Sequence, residues 1–287
     1  MDERELRRVV MDVIGQEHCL DDCAVFQFGK ISMVATTDML HETADFPAGM
    51  TDWQRGWMSI AVTLSDIAAM GASPSFVMLA VGLDRGSRLK EILQGARECC
   101  DRYGAVLAGG DLDAHGELTM VSSGIGFTDR PVRRAGAGQG DLLCVTGVPG
   151  RAEAALAGFH QYDRYLFEPV PMVREGMLLA QAGVTSMMDN SDGLVISLYD
   201  MMEANPGCGY VVDSGALPVL ADIPKEKARE FSLCGGGDFG LICTCPPDIV
   251  LPEDLDIQVI GSVIEGCNVL VDGKKADIKG YQHLWDE

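Results

Sequence analysis

Residues 53–72 read WQRGWMSIAVTLSDIAAMGA. Trp57, Ile60, Ala61, Leu64 and Ala68 recur at helical spacing, which predicts a helix from about Trp53 to Met70. Stepping about 100° per residue puts Asp66 roughly opposite Trp57, off the main apolar stripe. Val62, Ile67, Ala69 and Met70 make that side apolar too, so the helix is expected to be largely buried. An aspartate in such surroundings needs a cation or a hydrogen-bond partner. Arg55, on the same helix, is the ordinary partner; a metal ion is the other.

Outward from this helix, elements alternate. Before it, residues 3–14 read as a helix with Leu6, Val9, Val10 and Ile14 on one face. Residues 31–37 read as a strand ending at Asp38, and 41–52 as a polar loop. After it come a strand at 76–83, a helix at 87–103, a short strand at 105–108 before Gly109-Gly110-Asp111, and a strand at 118–127. Residues 129–140 carry Arg130, Arg133 and Arg134 with glycines and a proline, and read as a domain boundary. A second series follows, with strands at 141–146, 209–213, 240–245, 257–264 and 268–271. Helices are expected near 151–158 and 172–182, and from Asp189–Asp192 to about 204. The class expected is α/β of mixed α+β character, in two domains, 1–135 and 136–287.

Length and composition agree. A chain of 287 residues can bury about three quarters of its unfolded surface. Hydrophobic residues are 47% and charged residues 23%, a globular mixture that excludes collagen, coiled coil and disorder as the main description. Acidic residues number 43 against 22 basic, a formal charge of -21. Such a field disfavours nucleic acid and anionic membrane as partners and suits divalent cations. No apolar run is long enough to span a bilayer, and the charged start Met1-Asp2-Glu3-Arg4-Glu5 lacks a signal-peptide pattern. A cytoplasmic protein is expected. Ten cysteines without a CxxC pair read as reduced thiols, not zinc ligands.

The chain has no GxxxxGK[ST], GxSxG or HExxH. Gly235-Gly236-Gly237-Asp238-Phe239-Gly240 matches GxGxxG, but it precedes the strand-like LICTC instead of opening a helix, so the dinucleotide reading fails. What stands out are aspartates beside glycine, threonine or serine: Asp22, Asp38, Asp66, Asp111, Asp189 and Asp192. Asp38 follows Thr36 and Thr37, an oxygen-only set that suits Mg²⁺. Gly109 and Gly110 let backbone approach a phosphate or metal beside Asp111. One residue of Asp189-Asn190-Ser191-Asp192 would suffice as a helix cap; two aspartates there exceed that need. Two carboxylates ~4 Å apart repel by roughly 4 kcal/mol at an effective dielectric of 20, so convergence of these residues calls for bound cations. The arginines of 130–134 are local positive charge that suits nucleotide phosphate, or a solvated linker.

Asp21-Asp22-Cys23-Ala24, Thr36-Thr37-Asp38-Met39-Leu40, LSDIAAMGA at 64–72, Gly109-Gly110-Asp111, Ser191-Asp192-Gly193-Leu194 and GGGDF at 235–239 occur together in one family's order. From about residue 20 to 281 the chain resembles the thiamine-monophosphate kinases, within the superfamily of aminoimidazole ribonucleotide synthetase-like ATP-binding enzymes. The resemblance implies an N-terminal domain that pairs through its sheet in a homodimer, a C-terminal α/β domain, and ATP between them. It implies Mg²⁺ ligands at Asp22, Thr36, Thr37, Asp38, Asp66, Asp111, Asp189 and Asp192, with Asp38, Asp66 and Asp192 central to catalysis. Nucleotide contacts are implied at Tyr103, Gly110, Asp111, Arg134 and Ser191. Acceptor contacts are implied at Asp45, Gly237 and Tyr281, where the family pattern has His, Glu and often Trp. The implied reaction is ATP plus thiamine monophosphate giving ADP plus thiamine diphosphate, with several Mg²⁺ ions. A sibling enzyme, such as an amidine ligase or a selenophosphate synthetase, and a non-catalytic nucleotide-binding dimer are the alternatives.

Overall fold

A computed structural model describes residues 3–16 and 19–283. The N-terminal half runs α1 (Glu3–Ile14), β1 (Ala24–Phe28), β2 (Ile31–His41), α2 (Asp52–Ala69), β3 (Ser73–Leu83), α3 (Leu89–Arg102), β4 (Val106–Gly109), β5 (Leu112–Ala114) and β6 (Thr119–Thr128). Its strands form one sheet in the order β1-β2-β6-β3-β4, with β5 also pairing β3. The four-strand core of that order is antiparallel, and β4 and β5 join β3 in parallel.

The C-terminal half runs β7 (Leu142–Thr146), α4 (Arg151–Leu156), α5 (Asp163–Phe167), α6 (Val173–Ala182), β8 (Ser186–Asp189), α7 (Leu194–Ala204), β9 (Cys208–Val212), α8 (Lys225–Cys234), β10 (Leu241–Cys245), β11 (Ile257–Glu265), β12 (Val269–Val271) and β13 (Lys274–Lys275). Its sheet has the order β13-β12-β9-β11-β7-β10-β8. The mixed α/β class is as expected, with two sheets that share no strand.

Several local expectations are corrected. The strand read as 31–37 continues to His41, so Asp38 lies mid-strand, opposite Ser122 of β6. Asp189 ends β8 and the following helix starts only at Leu194. Six elements went unread: β1, β5, α5, β8, α8 and β13. Five of them are five residues or shorter, too brief to show a period. Asp66 does not pair with Arg55, which binds Glu42 and Asp52 instead.

Helix α2 is the central element. Thr51 caps its start, its side chain accepting from the Gln54 amide at 3.1 Å while Gln54 reaches back to the Thr51 N–H. Ile60, Leu64 and Ile67 are fully buried. One face packs on β2 and β6, and others meet α3, α6 and β8, so the helix joins the two halves. Its approach to α3 is very close: a Cβ on Gly95 would stand 1.8 Å from the Trp53 carbonyl oxygen. The outer face of the first sheet is apolar and open, with Phe28, Met39 and Met78 exposed. No helix among the described residues is long and apolar enough to cross a membrane.

Because backbone meets backbone at Gly95, a methyl group there forces α2 and α3 apart. Gly95→Ala is expected to cost about 2 kcal/mol or more, lowering the melting temperature by roughly 5 °C. An unchanged thermal melt would show that the helices do not cross this closely.

Candidate active site

Three carboxylates meet where α2 of the first half meets β8 of the second. Asp22 comes from the turn before β1, Asp66 from the C-terminal half of α2, and Asp189 from the end of β8. Each offers an oxygen within 4.8 Å of the other two. Hydroxyl groups hold the cluster in place. Thr36 donates to Asp66 at 2.6 Å. Ser65 donates to Asp189 at 2.7 Å and Ser191 to its other oxygen at 3.1 Å. Asp38 stands beside the cluster and accepts from Thr63 at 2.6 Å. Asp192 lines the same space as Asp66 and Asp189.

Arg134 is the buried cation beside the cluster. It pairs with Asp22, while its backbone N–H donates to Asp21 at 2.9 Å. Arg133 binds Asp21 at 2.5 Å. Asn205, just after α7, fixes this loop, donating to the Arg134 carbonyl at 2.8 Å and accepting from Gly136 and Ala137. One arginine does not neutralise so many acids. Burial pushes Asp22 up to about 6, with Asp189 and Asp21 adding to it and Arg134 opposing it. Burial likewise lifts Asp38 to about 6, against the Thr63 hydrogen bond. Asp66 is raised well above the ordinary aspartate range by burial and then by Asp38, Asp189 and Asp22. Asp189 is raised by burial, against the Ser65 hydrogen bond.

The residues fit a hard divalent cation. The donors are all oxygen, and the buried Oδ2 of Asp22 has no hydrogen-bond partner. A cation would satisfy that oxygen and offset the burial and repulsion that raise these groups.

Two cavities meet at the cluster. A polar one of about 240 Å³ is lined by Arg7, Asp22, Arg134 and Asp200, together with Asp66 and Asp189. A larger one of about 730 Å³ runs the other way, between Asp38, Asp45, Met58, Phe231, Phe239 and Gly237. Ser191, Asp192 and Tyr281 border both. The loop 189–193 is shaped by Gly193, whose φ of 112° and 2.8 Å clearance from the Cys234 carbonyl admit no side chain. Tyr281 donates its N–H to the Asp192 carbonyl and Gly237 donates to that of Ser191. Asp45 accepts from the His41 amide at 2.8 Å.

Not every expected residue joins the cluster. The Thr37 hydroxyl lies on the outer side of β2, against the Ser122 carbonyl and Ser123, as strand alternation requires. Asp111 is exposed and accepts from its own neighbour, Leu112. In the sheet, Asp38 lies opposite Ser122, and Ser122 opposite Leu79. Two strand spacings, about 10 Å, therefore separate Asp38 from Leu79, and Gly110 packs against the Leu79 carbonyl on the far side. Tyr103 sits edge-on to Trp57 at 6.4 Å and lines a separate cavity with Met172 and Arg174. Thr63 and Ser65 went unread as site residues. Their signal was a pair of hydroxyls inside an otherwise apolar helix.

Residues 20–128 match the family described as AIR synthase related protein, N-terminal domain. The thiamine-monophosphate kinase of Methanospirillum hungatei is 49% identical, aligned over 99% of this chain and 100% of that relative. The one from Halobacterium salinarum is 39% identical over 96% of each chain. The chain belongs to the thiamine-monophosphate kinase family. As a thiamine-monophosphate kinase family member it is an enzyme, a kinase. The solved structure of AaThiL complexed with AMPPCP and TMP shares this fold, with a TM-score of 0.92 at 26% identity over 99% of this chain and 97% of that one.

An unfolded aspartate titrates near ~3.9, whereas Asp22 and Asp38 titrate near about 6 when folded. The folded state then holds more protons between these values, so their contribution to stability is full below about pH 4 and is lost as pH rises through 6. In chelator, the melting temperature is expected to be higher at pH 5 than at pH 7, and Mg²⁺ to restore it at pH 7. A flat profile that Mg²⁺ does not move would contradict a cation-binding cluster.

Proposed function

We propose that this chain transfers the γ-phosphoryl group of ATP to the phosphate of thiamine monophosphate, giving ADP and thiamine diphosphate. The carrying observation is the carboxylate cluster at the junction of a polar and a large, partly apolar cavity. Full-length likeness to relatives named for this activity supports it, as does likeness to the complex with AMPPCP and TMP.

In this reading Asp22, Asp66 and Asp189, with Asp38 and Asp192 beside them and Thr36 orienting Asp66, hold several Mg²⁺ ions. Bound Mg²⁺ supplies charge neutralisation between two anionic reactants. The chain divides functionally at 135/136, with the reactants between its two halves. Arg134 and Ser191 face the nucleotide; Asp45, Gly237 and Tyr281 face the acceptor. The acceptor oxygen belongs to a phosphate monoester whose second pKa is near ~6, so it is largely ionised at pH 7 and gives up no proton. Positioning and electrostatics then carry the reaction, by direct in-line transfer. Cys234 borders the large cavity, but burial raises its pKa, which keeps it a thiol and a poor nucleophile.

Tyr103, Gly110 and Asp111 stand apart from the cluster within one copy. The reading assigns them to the nucleotide through pairing of two copies across the open apolar face of the first sheet. Light scattering should give a dimer at micromolar concentration. A monomer would remove these three residues from the site.

A coupled ADP-release assay with Mg-ATP tests the reaction. Release is expected with thiamine monophosphate and not with thiamine, and thiamine diphosphate is the expected product. Asp66→Asn and Asp192→Asn should each lower turnover by roughly 10²-fold or more, with the melt retained. ADP release independent of the monophosphate, or a phosphorylated side chain trapped after ATP alone, would overturn the reaction or its direct course.

A further inference from the structure

The loop between β2 and α2 walls the large cavity with Ala44, Asp45, Phe46 and Pro47. One side chain holds both ends of that loop. Arg88, in the short 3₁₀ turn Gly86–Arg88 before α3, is only 5% exposed. It grips Glu42, the first residue of the loop, through two nitrogens at 2.8 and 2.9 Å. It donates to Asp52, the first residue of α2, at 2.9 Å, and to Asp84, just after β3, at 2.8 Å. Arg55 braces the same two anchors, at 3.3 Å from Glu42 and 2.8 Å from Asp52.

A guanidinium is a rigid fork of donors and can bridge several acids at once, which an ammonium does less well. Hydrogen bonds from Arg88 hold Glu42 and Asp84 below their ordinary ranges, so both stay ionised at neutral pH. With the fork removed, Glu42, Asp52 and Asp84 would repel one another and the loop ends would part. The middle of the loop is seated by Phe46 and Met50, both buried in the first core. Asp45 folds back on the strand end, its amide donating to the His41 carbonyl at 3.0 Å and its carboxylate accepting from the His41 amide at 2.8 Å. The chain thus leaves and returns at one point, as in an Ω-loop. Neither Arg88, Glu42 nor Asp52 lines the cavity. Stability alone does not call for such a cluster, because apolar residues of similar volume commonly replace a buried ion pair without loss.

We propose that Arg88 is a positioning residue for the phosphoryl acceptor: by clasping both ends of loop 42–51 it fixes Asp45 and Phe46 in the wall against which the acceptor binds. The inference rests on the reading above in which Asp45 faces thiamine monophosphate. Arg134 and Ser191, assigned there to the nucleotide, stand on segments that the clasp does not hold.

The test uses the full chain with Arg88→Lys and Glu42→Gln. The second variant frees one end of the loop while Arg88 keeps Asp52 and Asp84, so it carries the test if Arg88→Lys fails to fold. Hydrogen exchange without substrate reads the clasp itself. Amides of residues 42–51 should exchange about tenfold faster in Arg88→Lys, and by a smaller factor in Glu42→Gln, with those of β6 unchanged. Steady-state kinetics read its consequence. KM for thiamine monophosphate should rise about tenfold in Arg88→Lys and about threefold in Glu42→Gln, with KM for ATP unchanged. Turnover by the unmodified chain comes first; its absence would overturn the reaction reading and the acceptor role with it, while faster loop exchange would still establish the clasp. Unchanged loop exchange in the folded variants, a rise in KM for both substrates alike, or a lowered melting temperature with both KM values intact would overturn the proposal.

Discussion

Mutual repulsion among buried carboxylates is the constraint around which this molecule is arranged. At ~4 Å, each pair costs roughly 4 kcal/mol at an effective dielectric of 20, and Asp22, Asp66 and Asp189 come within 4.8 Å of one another. The fold spends hydroxyl groups and an arginine to hold them there. Thr36, Ser65 and Ser191 each donate to one of these carboxylates, and Arg134 pairs with Asp22. These contacts oppose burial and repulsion without cancelling them, which is why Asp22, Asp66 and Asp189 stay above the ordinary aspartate range. A protein gains nothing in stability from such a cluster; its use lies in what binds there.

The same cluster couples the two halves of the chain. Asp22 and Asp66 belong to the half built on the first sheet, and Asp189 to the half built on the second. The Ser65–Asp189 hydrogen bond crosses from one to the other. So does the contact of α2 with α6, where Gly176 leaves no room for a side chain against the Ala68 carbonyl. Helix α2 is therefore structural and functional at once. Its apolar side chains join two cores, and its few polar ones, Thr63, Ser65 and Asp66, set the geometry of the acids. The arrangement suits phosphoryl transfer between two anions, where position and charge matter more than a proton relay.

Much of this was legible in the linear chain. The apolar periodicity of residues 53–70 carried the central helix, and the contradiction of an aspartate inside it marked a site. The motif order around Asp22, Asp38, Asp66 and Asp192 led to the family. Short elements such as β8 and α5 were not legible, because four or five residues hold at most two repeats of an informative period, too few to establish it. Asp38 shows a different limit. A strand end and a strand middle look alike when polar residues continue the run, and β6 supplies the partner that extends β2 to His41.

The sequence by itself determined which residue types exist for the chemistry: oxygen donors without a motif histidine, glycines where backbone must come close, and a strongly acidic balance. Only the tertiary structure decided which of them meet. It put Asp22, Asp66 and Asp189 at one point, left Asp111 on the far side of a sheet, and turned Thr37 outward. The reason is physical. Residue identity fixes charge and hydrogen-bonding capacity, whereas electrostatic energy depends on distance and burial, and both are set by how α2 packs between two sheets.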